Sequence, residues 1–242
     1  MGELLAPPRT FSSGDVDSAR KRCRHIITGT AETGGQEHLY LETQSALAIP
    51  REDGGVKITS ATQGPSFVQK VAARVLGMPI HFVEVEVPRL GGAFGGKEDQ
   101  ATPWAVMAAL GAKLTGRPVR LVLSRSMDMA STGKRHPYTS DYTIGLDEGG
   151  SILFWEVDYY QNGGAAGDLS TAIMERTLLH CTGSYFIPNV RATGYCCRTN
   201  LAPNTAFRGS GLPRRCSSWK PPFTGHRQRP EYRFIYCRKK TC

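Results

Sequence analysis

From Val83 to Ala109 the sequence changes character twice, and no other stretch constrains the fold as tightly. His81–Val87 alternates, with Phe82, Glu84 and Glu86 facing one way and Val83, Val85 and Val87 the other, which is the period of a strand. Gly91-Gly92-Ala93-Phe94-Gly95-Gly96 follows, and then Glu98–Leu114 reads as a mostly apolar, Ala-rich helix stopped near Gly116 and Pro118. Glycines let a backbone approach a ligand closely, and a helix start turns free N–H groups toward an anion. The loop is not a phosphate-binding Walker loop, because Lys97 is followed by Glu98 rather than Ser or Thr. Its glycine spacing does not match a dinucleotide fingerprint either. Two readings stand, an ordinary tight connection and a buried site. Phe94, a large ring inside a run of glycines, adds weight to the second. At the predicted helix start, Glu98 has a plain reading as a charge that suits the helix dipole.

The remaining elements are shorter. Residues 1–30 read as a polar connector, with a short helix around Val16–Arg24. Leu39–Ile49 and Val56–Ala61 are predicted as a hairpin around the turn Arg51-Glu52-Asp53-Gly54-Gly55. In Ser66–Leu76, Phe67, Val68, Val71, Ala72 and Val75 form one helical stripe, and Gly77 stops it. Val119–Leu123, Tyr138–Leu146, Ile152–Gln161 and Val190–Arg198 are strand candidates, and Leu169–Cys181 has helical character. Strands and helices are interspersed without repeat or regular βαβ rhythm, so the fold class is α+β.

Charge narrows the partners. The chain carries 30 Lys and Arg against 21 Asp and Glu, a net +9. Within Ser210–Cys242 there are nine basic residues and only Glu231 as an acid, so residues 1–209 are nearly neutral and the excess belongs to the tail. No run of about 18 apolar residues is present, so no transmembrane helix is expected. The start lacks a basic and apolar leader, and a cytoplasmic protein is the default. The seven cysteines include no C-x-x-C, so neither a zinc ribbon nor an iron–sulfur site is expected within the chain. Incidental thiols are the reading that remains.

Three further segments carry functional residue types. In Gly34-Gly35-Gln36-Glu37-His38, Gln36 can donate and accept hydrogen bonds, as recognition of a heterocycle or an oxo group requires. A lone His38 is more often structural than a metal ligand. Met174-Glu175-Arg176 falls on the Leu169–Cys181 helix, where a surface charge pair is the plain alternative. Asn204-Thr205-Ala206-Phe207-Arg208-Gly209 sets an arginine among small and polar residues, the composition of an anion clamp.

Taken together, Gly34–Glu42, Leu90–Glu98, Thr132–Pro137, Asp168–Arg176 and Thr199–Gly209 resemble, in order, five motifs of the molybdenum-binding subunit of the xanthine dehydrogenase and aldehyde oxidase family. The resemblance runs from about Leu5 to Gly209. It implies part of a molybdopterin-binding domain over 31–209, with molybdenum–molybdopterin as cofactor and no side chain directly ligating the metal. Gln36 would approach an oxo ligand. Phe94 and Gly95 would line the metal centre, their backbone N–H groups reaching a ligand oxygen, and Arg208 would meet the pterin. Glu98 and Arg176 occupy the positions of two substrate residues. Both being charged implies a purine of the hypoxanthine or xanthine type, with an aldehyde or another N-heterocycle as the alternative. Iron–sulfur clusters and FAD would lie on partner subunits or on other segments.

The resemblance stops after Gly209. Ser210 stands where the family has an aromatic over the substrate ring, and residues 210–242 show no amphipathic period. Out-of-phase reading of codons allowed for Arg214–Gly225 and Gln228–Cys242 restores family-like strings, so a frameshift is the expected origin of this tail. The family's general-base Glu would lie beyond it, which implies that the chain is inactive alone. Basic residues interleaved with Trp219, Phe223, Tyr232, Phe234 and Tyr236 also fit a nucleic-acid-binding tail on an enzyme remnant, the less favoured reading.

Overall fold

The computed structural model describes residues 2–209. The tail readings at 210–242 lie outside the described residues. The chain divides into two compact bodies.

The first body comprises residues 2–35 and 136–201, with Gly209. Its five strands are β1 (Arg9–Ser13), β2 (His25–Thr33), β7 (Tyr138–Leu146), β8 (Ile152–Gly164) and β9 (Val190–Arg198), in the order β1-β9-β8-β7-β2. Only β8 and β9 are parallel; the other neighbours run antiparallel. Alternation along β8 buries Trp155, Val157 and Tyr159 with Met174 and Leu178 of helix α5 (Ser170–Leu179). Phe154, one residue out of phase, packs instead with Val16 and Ala19 of helix α1 (Val16–Arg22). The period of two along one strand therefore gives each helix its own face of the sheet.

Residues 1–30 are a correction to the sequence reading. Besides the expected short helix, found as α1, they carry β1 and most of β2 in place of a connector, and β2 pairs with β7 over all nine residues from His25 to Thr33. Both strands lie at sheet edges and are mostly exposed, with only Ala31 buried. An exposed edge needs no apolar alternation, so the pattern that reveals a strand is missing.

The second body comprises residues 36–135 and 202–208. Its strands β3 (Ser45–Pro50), β4 (Val56–Ser60), β5 (Val83–Glu86) and β6 (Val119–Val122) are ordered β5-β4-β3-β6. The β3–β4 hairpin is antiparallel, whereas β4 and β5 are parallel. A parallel neighbour requires a crossover, which helix α2 (Pro65–Leu76) supplies between Gly64 and a left-handed Gly77. Helix α3 (Thr102–Thr115) lays Ala105, Ala108, Ala109 and Ala112 into one core with Ala46 and Ala48 of β3. Small side chains at these positions allow close helix–sheet approach. Helix α4 (Arg125–Ser131), capped by Ser124 accepting from the Met127 N–H, completes this body.

Two element boundaries differ from expectation, with consequences for the site. Of the predicted strand Leu39–Ile49, only the part from Ser45 is strand; Leu39 has φ 46°, and Tyr40 and Gln44 turn into a buried polar cluster. Helix α3 starts at Thr102 rather than Glu98, after a 3₁₀ turn over Asp99–Ala101. Pro103 explains this. It lacks an N–H and is tolerated only in a helix's first turn, so a helix running from Glu98 would have placed it in the interior. Glu98 therefore precedes the 3₁₀ turn and does not sit in the first turn of α3.

Candidate cofactor site

The second body brings the glycine loop, residues 36–38, Arg135 and residues 205–208 together. The loop is tied down from several sides. Gly91 N–H donates to Glu42 Oε2 (2.7 Å), and the Glu42 N–H donates back to the Gly91 carbonyl (2.9 Å). The Gln63 side chain accepts from the N–H groups of Gly95 (3.0 Å) and Lys97 (3.3 Å). This corrects one expectation: the Gly95 N–H is held by Gln63 and is not directed at a ligand oxygen.

At the loop's apex Phe94 has φ 57° and Gly95 has φ 100°. A bulky residue in the left-handed region is strained, and such strain persists only where the surroundings impose it. The Arg208 N–H donates to the Phe94 carbonyl (2.7 Å). A Cβ at Gly95 would lie 2.8 Å from the Ala206 carbonyl oxygen, and one at Gly96 would lie 2.7 Å from the His38 ring. Both glycines are thus required by close approach. Phe94 itself remains 46% exposed.

Arg135 joins the other segments. Its Nε donates to Gln36 Oε1 (2.9 Å), its Nη2 donates to the Arg208 carbonyl (2.9 Å), and its guanidinium lies 4.1 Å from the Phe207 ring centroid. Backbone bridges pair Arg135 with Gln36 and with Thr205. Phe207 also stacks on His38 at 4.7 Å. The His38 Nε2 lies 2.6 Å from the Ala206 carbonyl; a carbonyl only accepts, so Nε2 carries the proton. Burial pushes the His38 pKa below its usual value, against an opposing pull from this hydrogen bond.

Behind the loop lies a buried polar cluster. Asp128 on α4 accepts from the Tyr40 hydroxyl and from the Gln44 N–H, each at 2.6 Å, and Gln44 Nε2 donates to the Gly96 carbonyl (3.0 Å). Lys97 is fully buried, 4.6 Å above the Tyr40 ring and 3.5 Å from Glu42 Oε2. Burial lowers its pKa, partly countered by Glu42. Burial, and then the Asp128 carboxylate, raises that of the Tyr40 hydroxyl.

Of the residues expected from sequence, Gln36, Phe94, Gly95 and Arg208 are therefore assembled in one body, with Glu98 half-buried just beyond the loop. Arg176 lies in the other body, exposed on α5, where its carbonyl accepts from the His180 N–H. The sequence reading missed the roles of Arg135, Gln63 and Asp128. Arg135 sits inside a motif that was recognised, but nothing local indicates that its partners are at positions 36 and 208. Among the described residues, no group of three or more His, Cys, Asp or Glu side chains converges as a metal site.

A family profile described as the molybdopterin cofactor-binding domain matches residues 3–217. The chain belongs to that family. It is 44% identical over 211 residues to the xanthine dehydrogenase/oxidase of Gallus gallus, and equally to aldehyde oxidase 1 of Oryctolagus cuniculus. Each alignment covers 87% of this chain but 16% of the relative, so the chain spans a minor part of their length. Among solved structures, the aldehyde oxidoreductase from Desulfovibrio gigas aligns with a TM-score of 0.78 at 26% identity, over 87% of this chain and 23% of that one.

The residues of this domain fit its cofactor, molybdenum–molybdopterin. Gln36 and Arg208, an amide and a guanidinium residue, are exposed beside the Phe94 apex and are tied to it through Arg135 and the Phe94 carbonyl. Such a set suits an anionic group rich in oxygen. Close packing at Gly95 and Gly96 leaves a loop with no side chain at those positions.

Proposed function

We propose that this domain contributes cofactor and substrate residues to a molybdenum hydroxylase acting on purines of the hypoxanthine or xanthine type. Its cofactor, when bound, supplies the oxygen-transfer and two-electron chemistry. Gln36 and Arg208 would hold that cofactor, and the Phe94–Gly95 apex would line it. The observation that carries the cofactor reading is the fork of Arg135 on Gln36 and Arg208, which fixes two of these positions together.

The purine reading rests on Glu98 and Arg176. A carboxylate can exchange hydrogen bonds with ring nitrogens, and a guanidinium can stabilise negative charge developing on the ring during attack. Equal overall identity to a xanthine and an aldehyde enzyme does not discriminate, so these two side chains carry the choice. Electrons would leave through iron–sulfur and FAD groups on partner subunits or other segments, and we assign the protein to the cytoplasm. Among the described residues, no helix is long and apolar enough to cross a membrane.

The test is substrate profiling of a restored full-length version, loaded with cofactor and supplied with its electron-accepting partners. Hypoxanthine should be preferred over benzaldehyde. Glu98→Ala and Arg176→Met should each lower kcat/KM for the purine by roughly 10- to 100-fold, the range of a lost charge-assisted hydrogen bond. Preference for the aldehyde, unaffected by either substitution, would reverse the assignment.

A further inference from the structure

Gln36 presents one chemical question that its motif does not answer, namely which end of its amide faces outward. Arg135 answers it. A guanidinium has five donors and no acceptor, so the atom of Gln36 that meets Arg135 Nε at 2.9 Å must be the carbonyl oxygen. The NH₂ group is then turned away, at an exposed position. Arg135 is in turn held on three other counts: its side chain is in a residue only 6% exposed, its Nη2 is spent on the Arg208 carbonyl, and its plane lies against Phe207. Its backbone pairs with Gln36 and Thr205. A rigid, forked donor thus reads residue 36 and residue 208 at once, which a lysine ammonium on a flexible stem cannot do.

We propose that Arg135 is a positioning residue that sets the polarity of Gln36, so that position 36 turns its NH₂ donor, and not its carbonyl oxygen, toward the group bound there. The consequence for ligand chemistry rests on the cofactor reading above: an outward NH₂ donates to an acceptor oxygen, such as an oxo oxygen, and disfavours a group that can only donate, such as an ammonium. The positioning itself does not depend on that reading. It predicts an ordered Gln36 side chain in the protein without cofactor.

The experiment is ¹⁵N relaxation of the Gln36 side-chain amide in the full chain, wild type against Arg135→Lys and Arg135→Met. In the wild type the amide should have an order parameter near the rigid value of about 0.85, falling below about 0.6 in both variants while the backbone spectrum stays dispersed. A purely structural need for charge would leave the Arg135→Lys amide as ordered as the wild type, and that result overturns the proposal, as does a mobile amide in the wild type. If neither Arg135 variant folds, the reciprocal variant Gln36→Leu decides. There the Arg135 Nε–H should exchange with water at least tenfold faster, and an unchanged rate would sink the idea. None of these readouts uses cofactor or turnover, so failure of the purine assignment is recorded separately.

Discussion

His38 carries a proton-linked contribution to stability that follows from its surroundings. Its ring is buried, donates from Nε2 to the Ala206 carbonyl and stacks on Phe207. Burial lowers its folded pKa below the ordinary value, so the neutral form is the one the fold accepts. The unfolded chain binds a proton near pH 6.5, before the folded protein does. Stability from this group is therefore complete above about pH 6.5 and is lost as pH falls through the lowered folded value. The unfolding midpoint should drop between about pH 7.5 and pH 5.5, and His38→Asn should flatten that drop while the other five histidines remain. Equal pH dependence in the two proteins would show that His38 is not linked. At this scale residue type and motif coincide at Gln36, Phe94 and Arg208, and the fold places all three in one body. The sequence was silent on Arg135, because a basic residue inside a basic motif looks solvent-facing until its partners at positions 36 and 208 come together. The outward N–H expected of Gly95 was likewise claimed by Gln63, 32 positions away.

Elements were legible in proportion to their burial. Strands β7 and β9 have the ends expected from alternation, and α2 differs by one residue, because each buries one face and so shows its period. The edge strands β1 and β2 show none. Helix α4 has seven residues and one buried side chain, Asp128, too few for a periodic signal. That helix matters through this single carboxylate, which collects the Tyr40 hydroxyl and the Gln44 N–H and so ties residues 40–44 to α4. Gln44 passes the tie on to the glycine loop through the Gly96 carbonyl. Asp128→Leu should leave two buried donors unsatisfied, at about 1–3 kcal/mol each. Chemical denaturation should register a loss on the order of 2–6 kcal/mol. Asp128→Asn, which keeps one acceptor oxygen, should lose less. A leucine variant as stable as the wild type would mean that the cluster does not hold the loop.

Electron flow is a property of the whole molecule, since it depends on which groups are connected and not on any one site. Hydroxylating a purine ring carbon releases two electrons, and they must leave before a second substrate can react. The chain offers no C-x-x-C pair and no dinucleotide fingerprint through which to pass them on, and it spans 16% of the length of the relatives that resemble it. Its charge does not help either, because the surplus of basic residues is confined to 210–242 and bears on non-specific contacts with polyanions, which salt would screen. We therefore expect the chain, loaded with cofactor and kept free of oxygen, to form at most one hydroxylated purine per cofactor. Adding iron–sulfur and flavin partners with their terminal acceptor should give steady turnover only when the segment carrying the family's general-base Glu is restored as well. Product counted by chromatography against bound molybdenum decides between the two regimes. Repeated turnover by the isolated chain without any acceptor would overturn the requirement for partners. No product at all from a fully loaded chain would instead locate a missing catalytic group, of which the general-base Glu implied by the family is the leading candidate.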